Sequence, residues 1–111
     1  MLRVSIVILL LSAMAESPAW ADGDPIAGQA LAKQSCAGCH DIRPNASPVW
    51  TDGAPSFRSV AEHPAITDLA LHVFLQTPHA KMPNLRLVPA ELDDLSSYIL
   101  SLRGGAKRQE Y

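Results

Sequence analysis

Two cysteines and a histidine stand together in the segment Cys36-Ala37-Gly38-Cys39-His40. A thiol can add to a vinyl group, and two thiols separated by two residues can reach both vinyl groups of one porphyrin. A histidine directly after the second thiol falls beneath the iron, where its imidazole can bind the metal. The spacing therefore predicts one covalently attached c-type haem, with thioethers at Cys36 and Cys39 and with His40 as the proximal iron ligand.

Other chemistries of the same cysteine pair fit the sequence less well. A zinc site would require further ligands, and the chain contains only two cysteines. A thioredoxin-like redox pair would require a βαβ surrounding, which the sequence does not show. A structural disulfide is conceivable outside the cytosol, although it would not need the histidine.

The second informative stretch is Pro78-His79-Ala80-Lys81-Met82-Pro83, a short loop bounded by prolines. Met82 is the only methionine after Met14, so a thioether ligand to the iron has to be Met82. His79 is the rival ligand, three positions earlier. The remaining alternative is that Met82 is ordinary packing and that the iron has no sixth protein ligand.

Three main helices are predicted around these two stretches. The first begins at Asp24-Pro25 and runs to about Ser35, because aspartate caps helices well and proline suits the first helical position. The second spans residues 67–76, and the last begins near Pro89 and ends at Gly104-Gly105. No stretch alternates convincingly with a period of two, so an all-α fold is expected.

Helical periodicity also predicts which faces are buried. The first helix carries small residues four apart, which would allow close approach of another helix: Gly28, Ala32 and Cys36. In the second helix the expected buried stripe is Leu69, Ala70, Val73 and Phe74. The expected solvent-facing stripe of that helix is Asp68, His72 and Gln76. In the last helix the expected apolar face is Leu92, Leu95, Tyr98, Ile99 and Leu102.

Residues 41–66 are rich in proline, which excludes a long helix, although a short helical turn is possible around residues 56–62. Trp50 and Phe57 are the large apolar residues in this segment that could cover a porphyrin. Trp50 could alternatively direct its indole N–H to a propionate, but simple packing is the preferred interpretation.

Residues 1–21 have the pattern of a secretory signal, which leaves residues 22–111 as one domain. Arg3 precedes an apolar run over residues 4–15, and Ala19-Trp20-Ala21 is a small-x-small cleavage site. An uncleaved anchor is the alternative. Thioether formation requires reduced cysteines and exported haem, so the periplasm is the expected compartment. The net charge is −2 with no basic run, so neither nucleic acid binding nor membrane insertion after cleavage is expected.

The chain resembles the small class I cytochromes c. The matching segments are Gly28, residues 36–40, Ala54-Pro55-Ser56-Phe57, residues 79–84 and Leu95-Ser96-Ser97-Tyr98. The resemblance implies helices and loops wrapped around one haem, a Pro55 carbonyl that accepts the Nδ1–H of His40, and a helix crossing of Gly28 against Tyr98. The chain departs from the family in having Ala32 where an aromatic is usual, and in a slightly longer loop before Pro55.

The expected function follows from the ligands. Iron bound by both His40 and Met82 has no open position for a substrate, so the chain would carry single electrons and would not be an enzyme. It would meet donor and acceptor redox proteins through transient contacts, as a monomer. Two alternatives are a fixed haem subunit of a larger dehydrogenase or oxidase complex, and a gas-binding sensor if Met82 is labile.

Overall fold

A computed structural model describes residues 23–105, which form four helices: α1 (Pro25–Ser35), α2 (Phe57–Glu62), α3 (Asp68–Gln76) and α4 (Pro89–Ser101). These residues contain no strand, which confirms the all-α class. Within the same range, no helix has the length and hydrophobicity required to cross a membrane. The predicted signal, residues 1–21, and the C-terminal residues 106–111 lie outside the described residues.

Local capping explains where the helices begin. Asp24, Ser56 and Thr67 precede the first three helices, and each side chain accepts a hydrogen bond from a first-turn N–H, at 2.8, 3.0 and 3.1 Å respectively. At the start of α4, the Val88 N–H donates to the Glu91 carboxylate at 3.0 Å. The predicted helix starts are therefore confirmed. The short helical turn predicted around residues 56–62 corresponds to α2.

The last helix, α4, is the central element of the described region, because the other three helices there pack against it. The tightest contact is the crossing of α1, where a Cβ added to Gly28 would overlap the Asp94 carbonyl and lie 2.9 Å from the Tyr98 Cβ. Only glycine permits this approach without displacing backbone. The predicted close crossing at Gly28 is confirmed, and Ala32 is fully buried one turn further along.

A single core lies between α4 and the other elements. The Tyr98 hydroxyl donates to the Ile42 carbonyl at 2.6 Å, so the segment after the cysteine motif is fastened to α4. The predicted apolar face of α4 is confirmed, since all five of its residues are buried. The main core cluster comprises Ala32, Cys36, Ile42, Phe57, Ala61, Leu71, Leu95, Tyr98, Ile99 and Leu102.

Within the protein itself, α3 buries a different side from the one predicted. Leu69, Val73 and Phe74 are 72, 57 and 47% exposed, whereas Leu71 is only 4% exposed. The reason is that α3 is apolar on two sides. At about 100° per residue, Leu71 and Leu75 lie on a different side from Leu69 and Val73. The helix packs on α4 with its Leu71 side, and its second apolar side is left facing outwards.

The orientation of α3 about its axis also corrects the prediction for His72. Its side chain is 25% exposed, and its Nε2 lies 3.6 Å from the Asp68 carboxylate and 3.4 Å from that of Asp93 on α4. His72 therefore lies at the junction of α3 and α4, and it is not a solvent-facing residue.

The end of α4 is fastened to the connection between α2 and α3. The Arg103 guanidinium donates to the carbonyls of Ala61 and Ile66 at 2.7 and 2.6 Å. The Gly104 N–H donates to the Glu62 carboxylate at 2.7 Å, and Gly104 has a φ of 86°, which glycine adopts readily. These bonds fix the segment that leads into α3.

Candidate functional site

The cysteine motif continues the helical turn at the end of α1. The Cys36 N–H donates to the Ala32 carbonyl at 2.9 Å, and the His40 N–H donates to the Cys36 carbonyl at 3.0 Å. Residues three apart on a helical turn share one side. Cys36 and Cys39 therefore lie on one turn of the backbone, both as free thiols, and His40 directly follows them.

The two thiols differ in their surroundings. Cys36 is buried in the core and Cys39 is exposed. Burial raises the pKa of the Cys36 thiol, because the charged thiolate is disfavoured away from water. Cys36 is accordingly held as an uncharged thiol beside the apolar core, whereas Cys39 faces outwards from the same turn.

His40 is held in one tautomer and one orientation. Its Nδ1 lies 2.6 Å from the Pro55 carbonyl oxygen. Because a carbonyl can only accept, Nδ1 carries the proton, and Nε2 of the neutral ring keeps a lone pair that can bind a metal. The Phe57 ring packs against the imidazole, with centroids 5.5 Å apart, and contacts Tyr98 of α4 with centroids 6.3 Å apart.

A long loop over residues 41–56 leads back to His40 and brings Pro55 into contact with it. The Phe57 N–H donates to the Asp41 carbonyl at 2.9 Å. The Asp41 carboxylate forms an ion pair with Arg43 at 2.7 Å. Hydrogen bonds from the Arg43 side chain and backbone lower the pKa of Asp41 to about 2, so this carboxylate is ionised at neutral pH.

The exposed side of α3 is an apolar surface. Leu69, Val73 and Phe74 project from it into an open depression of about 510 Å³, whose lining is completed by Thr67, Ala70, Thr77 and His79. Large apolar side chains gathered on one exposed face commonly mark a place that a ligand or a partner covers. We call Leu69, Ala70, Val73 and Phe74 the α3 wall.

His79 and Met82 follow the α3 wall in the chain. The His79 ring packs on Phe74 with centroids 3.7 Å apart, and its Nδ1 lies 2.6 Å from the Thr77 carbonyl. His79 is thus fastened to the end of α3. Met82 stands three residues later in a bend and is partly buried.

Trp50 and Phe57, the two residues predicted to cover a porphyrin, occupy different environments. Phe57 is 5% exposed and lies in the core behind His40. Trp50 is 53% exposed and contacts His63, with ring centroids 5.6 Å apart. Phe57 therefore supports the His40 ring from within the protein. Contact of either residue with a porphyrin stays a prediction.

Sequence reasoning missed two features of this region. One is the α3 wall as an exposed ligand surface, and the other is the pairing of His72 with Asp93 across two helices. The signal for the first was present, because a short helix that is apolar on more than one side must have more than one neighbour. The pairing of His72 with Asp93 had no such signal, because it depends on the orientation of α3 about its own axis.

A family model described as Cytochrome c matches residues 26–103, which is most of the chain. The chain therefore belongs to the cytochrome c family. It is a haem-based electron-carrier domain whose cofactor is a covalently bound c-type haem with iron. No curated protein and no solved structure matches it.

The described residues fit this cofactor. Two free thiols stand on one turn, as attachment to a single macrocycle requires. The His40 tautomer leaves Nε2 able to bind iron. The α3 wall is an exposed apolar surface of the kind that a largely apolar ligand covers.

Proposed function

We propose that this domain carries single electrons with a haem iron held between His40 and Met82. The observation that carries the proposal is the hydrogen bond from His40 Nδ1 to the Pro55 carbonyl. It leaves Nε2 as the ring nitrogen available to the metal, in the residue that directly follows the second cysteine. The bound haem supplies an iron that alternates between Fe(II) and Fe(III), and the chain supplies its attachment, its ligands and its apolar surroundings.

On the proximal side, the chain keeps one ligand geometry in both oxidation states. A hydrogen bond to a carbonyl makes the imidazole more basic and fixes the direction of its ring. Phe57 lies against the same ring and is itself fixed by Tyr98 and the core. A ligand that does not move between oxidation states suits rapid electron exchange.

On the distal side, Met82 is the proposed second ligand. Its thioether is a soft ligand that favours Fe(II) and raises the reduction potential relative to a second histidine. His79 is the competing ligand, and its Nδ1 bond to the Thr77 carbonyl leaves Nε2 available as in His40. The preference for Met82 therefore rests on the packing of the His79 ring against Phe74. With both axial positions filled, no position is left for a substrate, which favours a carrier over an enzyme.

The partners and the compartment belong to the same proposal. The apolar run before residue 22 and the need for thioether formation outside the cytosol support a periplasmic location. Electron donor and acceptor proteins would meet the domain through a small, transient interface. The net charge of −2 for the whole chain supports no strong electrostatic steering.

The test of the ligand set is proton NMR of the reduced holoprotein. A methionine methyl group bound to iron lies over the porphyrin, where the ring current displaces its resonance far upfield. We expect one such three-proton resonance in the wild type, its loss in Met82→Ala and its retention in His79→Ala. Retention in Met82→Ala, or absence from the wild type, would contradict the proposal.

A further inference from the structure

His72 lies between carboxylates from two helices. Its Nε2 is 3.6 Å from Asp68, one turn earlier on α3, and 3.4 Å from Asp93 on α4. The nitrogen itself is buried and has no hydrogen bond with good geometry among the described residues. A buried ring nitrogen in that position is costly unless it carries a proton and is paired with the carboxylates.

The position of α3 depends on this junction. Among the described helices, α4 is the main support of α3, and the apolar residues of α3 on the core side are Leu71 and Leu75. The opposite side of α3 is the exposed wall that includes Val73. The loop with Met82 begins where α3 ends, at Gln76. A shift of α3 on α4 would therefore move the wall and the Met82 loop together.

We propose that His72 is a positioning residue, which bridges Asp68 and Asp93 so that α3 stays seated on α4 and the Met82 loop stays closed over the iron. This inference rests on the proposed ligation by Met82. An Nε2–H of His72 can donate to either carboxylate, and a side chain without a donor at this place cannot.

Each of the two helices contributes one carboxylate to this junction. Asp68 faces His72 from α3 and Asp93 faces it from α4. The neighbouring Asp94 is engaged elsewhere, because its carboxylate accepts from the Asp24 N–H at 2.7 Å. Asp93 therefore connects α4 to α3, and Asp94 connects α4 to the start of α1.

The experiment measures the rate of CO binding to the reduced holoprotein, which reports how often the Met82 position opens. His72→Leu removes the bridge, and His72→Gln keeps a donor at the place of Nε2. Asp93→Asn weakens the bridge from α4 and leaves His72 in place. Thermal unfolding of each variant shows that the rates are measured on folded protein.

We expect His72→Leu and Asp93→Asn to bind CO about two- to fivefold faster than the wild type at pH 6, the effect expected for loss of a partly exposed pair of this kind. The His72→Gln rate should stay close to that of the wild type, because glutamine keeps a donor at this place. His63→Gln, remote from this junction, should also keep the wild-type rate.

Two results would overturn different statements. If the wild type binds CO readily, the proposed ligation by Met82 is wrong. If the wild type is closed and folded Asp93→Asn has the wild-type rate, the ligation stands and the positioning role of His72 is refuted. Should His72→Leu fail to fold, the contrast of Asp93→Asn with His72→Gln decides the question.

Discussion

Replacement of Gly28 by alanine tests the crossing on which the fold depends. The added methyl group would overlap the Asp94 carbonyl, which belongs to the α4 backbone and cannot rotate away as a side chain can. Separation of α1 from α4 would loosen the packing around Ala32 and would strain the turn that presents the cysteines. We therefore expect Gly28→Ala to destabilise the holoprotein.

The magnitude follows from two opposing effects. Overpacking at a tight contact costs about 3 kcal/mol, at the upper end of the usual range because the obstacle is backbone. Alanine in place of glycine inside a helix returns about 1 kcal/mol. The net loss of about 2 kcal/mol should lower the midpoint of thermal unfolding of a domain this size by about 10 °C.

Gly53→Ala is the matched control, because a Cβ at Gly53 would meet no atom of the described residues within 4 Å. Its midpoint should stay close to that of the wild type. The assay is thermal unfolding of both holoproteins, followed by circular dichroism. The reasoning is refuted if Gly28→Ala unfolds at the same temperature as Gly53→Ala.

Three further outcomes are expected. Tyr98→Phe leaves the buried Ile42 carbonyl without the hydroxyl that donates to it at 2.6 Å. The free energy of unfolding measured with urea should therefore fall by about 1–2 kcal/mol. An unchanged urea midpoint would contradict this bond. In an NMR titration, the Asp41 carboxyl should have a pKa of about 2. Because this pKa is lowered in the folded protein, the small contribution of Asp41 to stability is present at neutral pH and is lost as the pH falls from about 4 towards 2. Arg43→Gln should return that midpoint towards the ordinary value, and a midpoint insensitive to Arg43 would refute the assignment. Val73→Asp should lower the thermal stability of the holoprotein because Val73, though 57% exposed, lies on the wall assigned to the haem. Ile26→Asp, at a 78% exposed position near a helix start, should leave the thermal stability unchanged. Equal effects of the two changes would count against assignment of the α3 wall to the haem.

Local signals made the helices predictable. Asp24 and Thr67 cap the helices that follow them, and Pro89 opens α4, so each start is determined by a few adjacent residues. The crossing at Gly28 was also predictable, because a glycine inside a helix usually has a packing reason. These features depend on short stretches of chain.

Longer-range features could not be derived from pattern alone. The apolar residues of α3 satisfy the periodicity of a buried helix in two orientations, and only the packing of Leu71 on α4 decides between them. The pairing of His72 with Asp93 follows from that orientation. The residues between His40 and Pro55 do not specify the path of the loop that joins them. The contact of His40 with the Pro55 carbonyl was therefore implied by the family resemblance and not by these residues.

The most direct test of the proposed function is an optical titration of the reduced, purified wild-type protein with CO at pH 6. If His40 and Met82 hold both axial positions, the spectrum should not change at moderate CO concentrations. Ready formation of a CO complex would show an open or weakly closed iron, and it would contradict the assignment of this domain as a closed single-electron carrier.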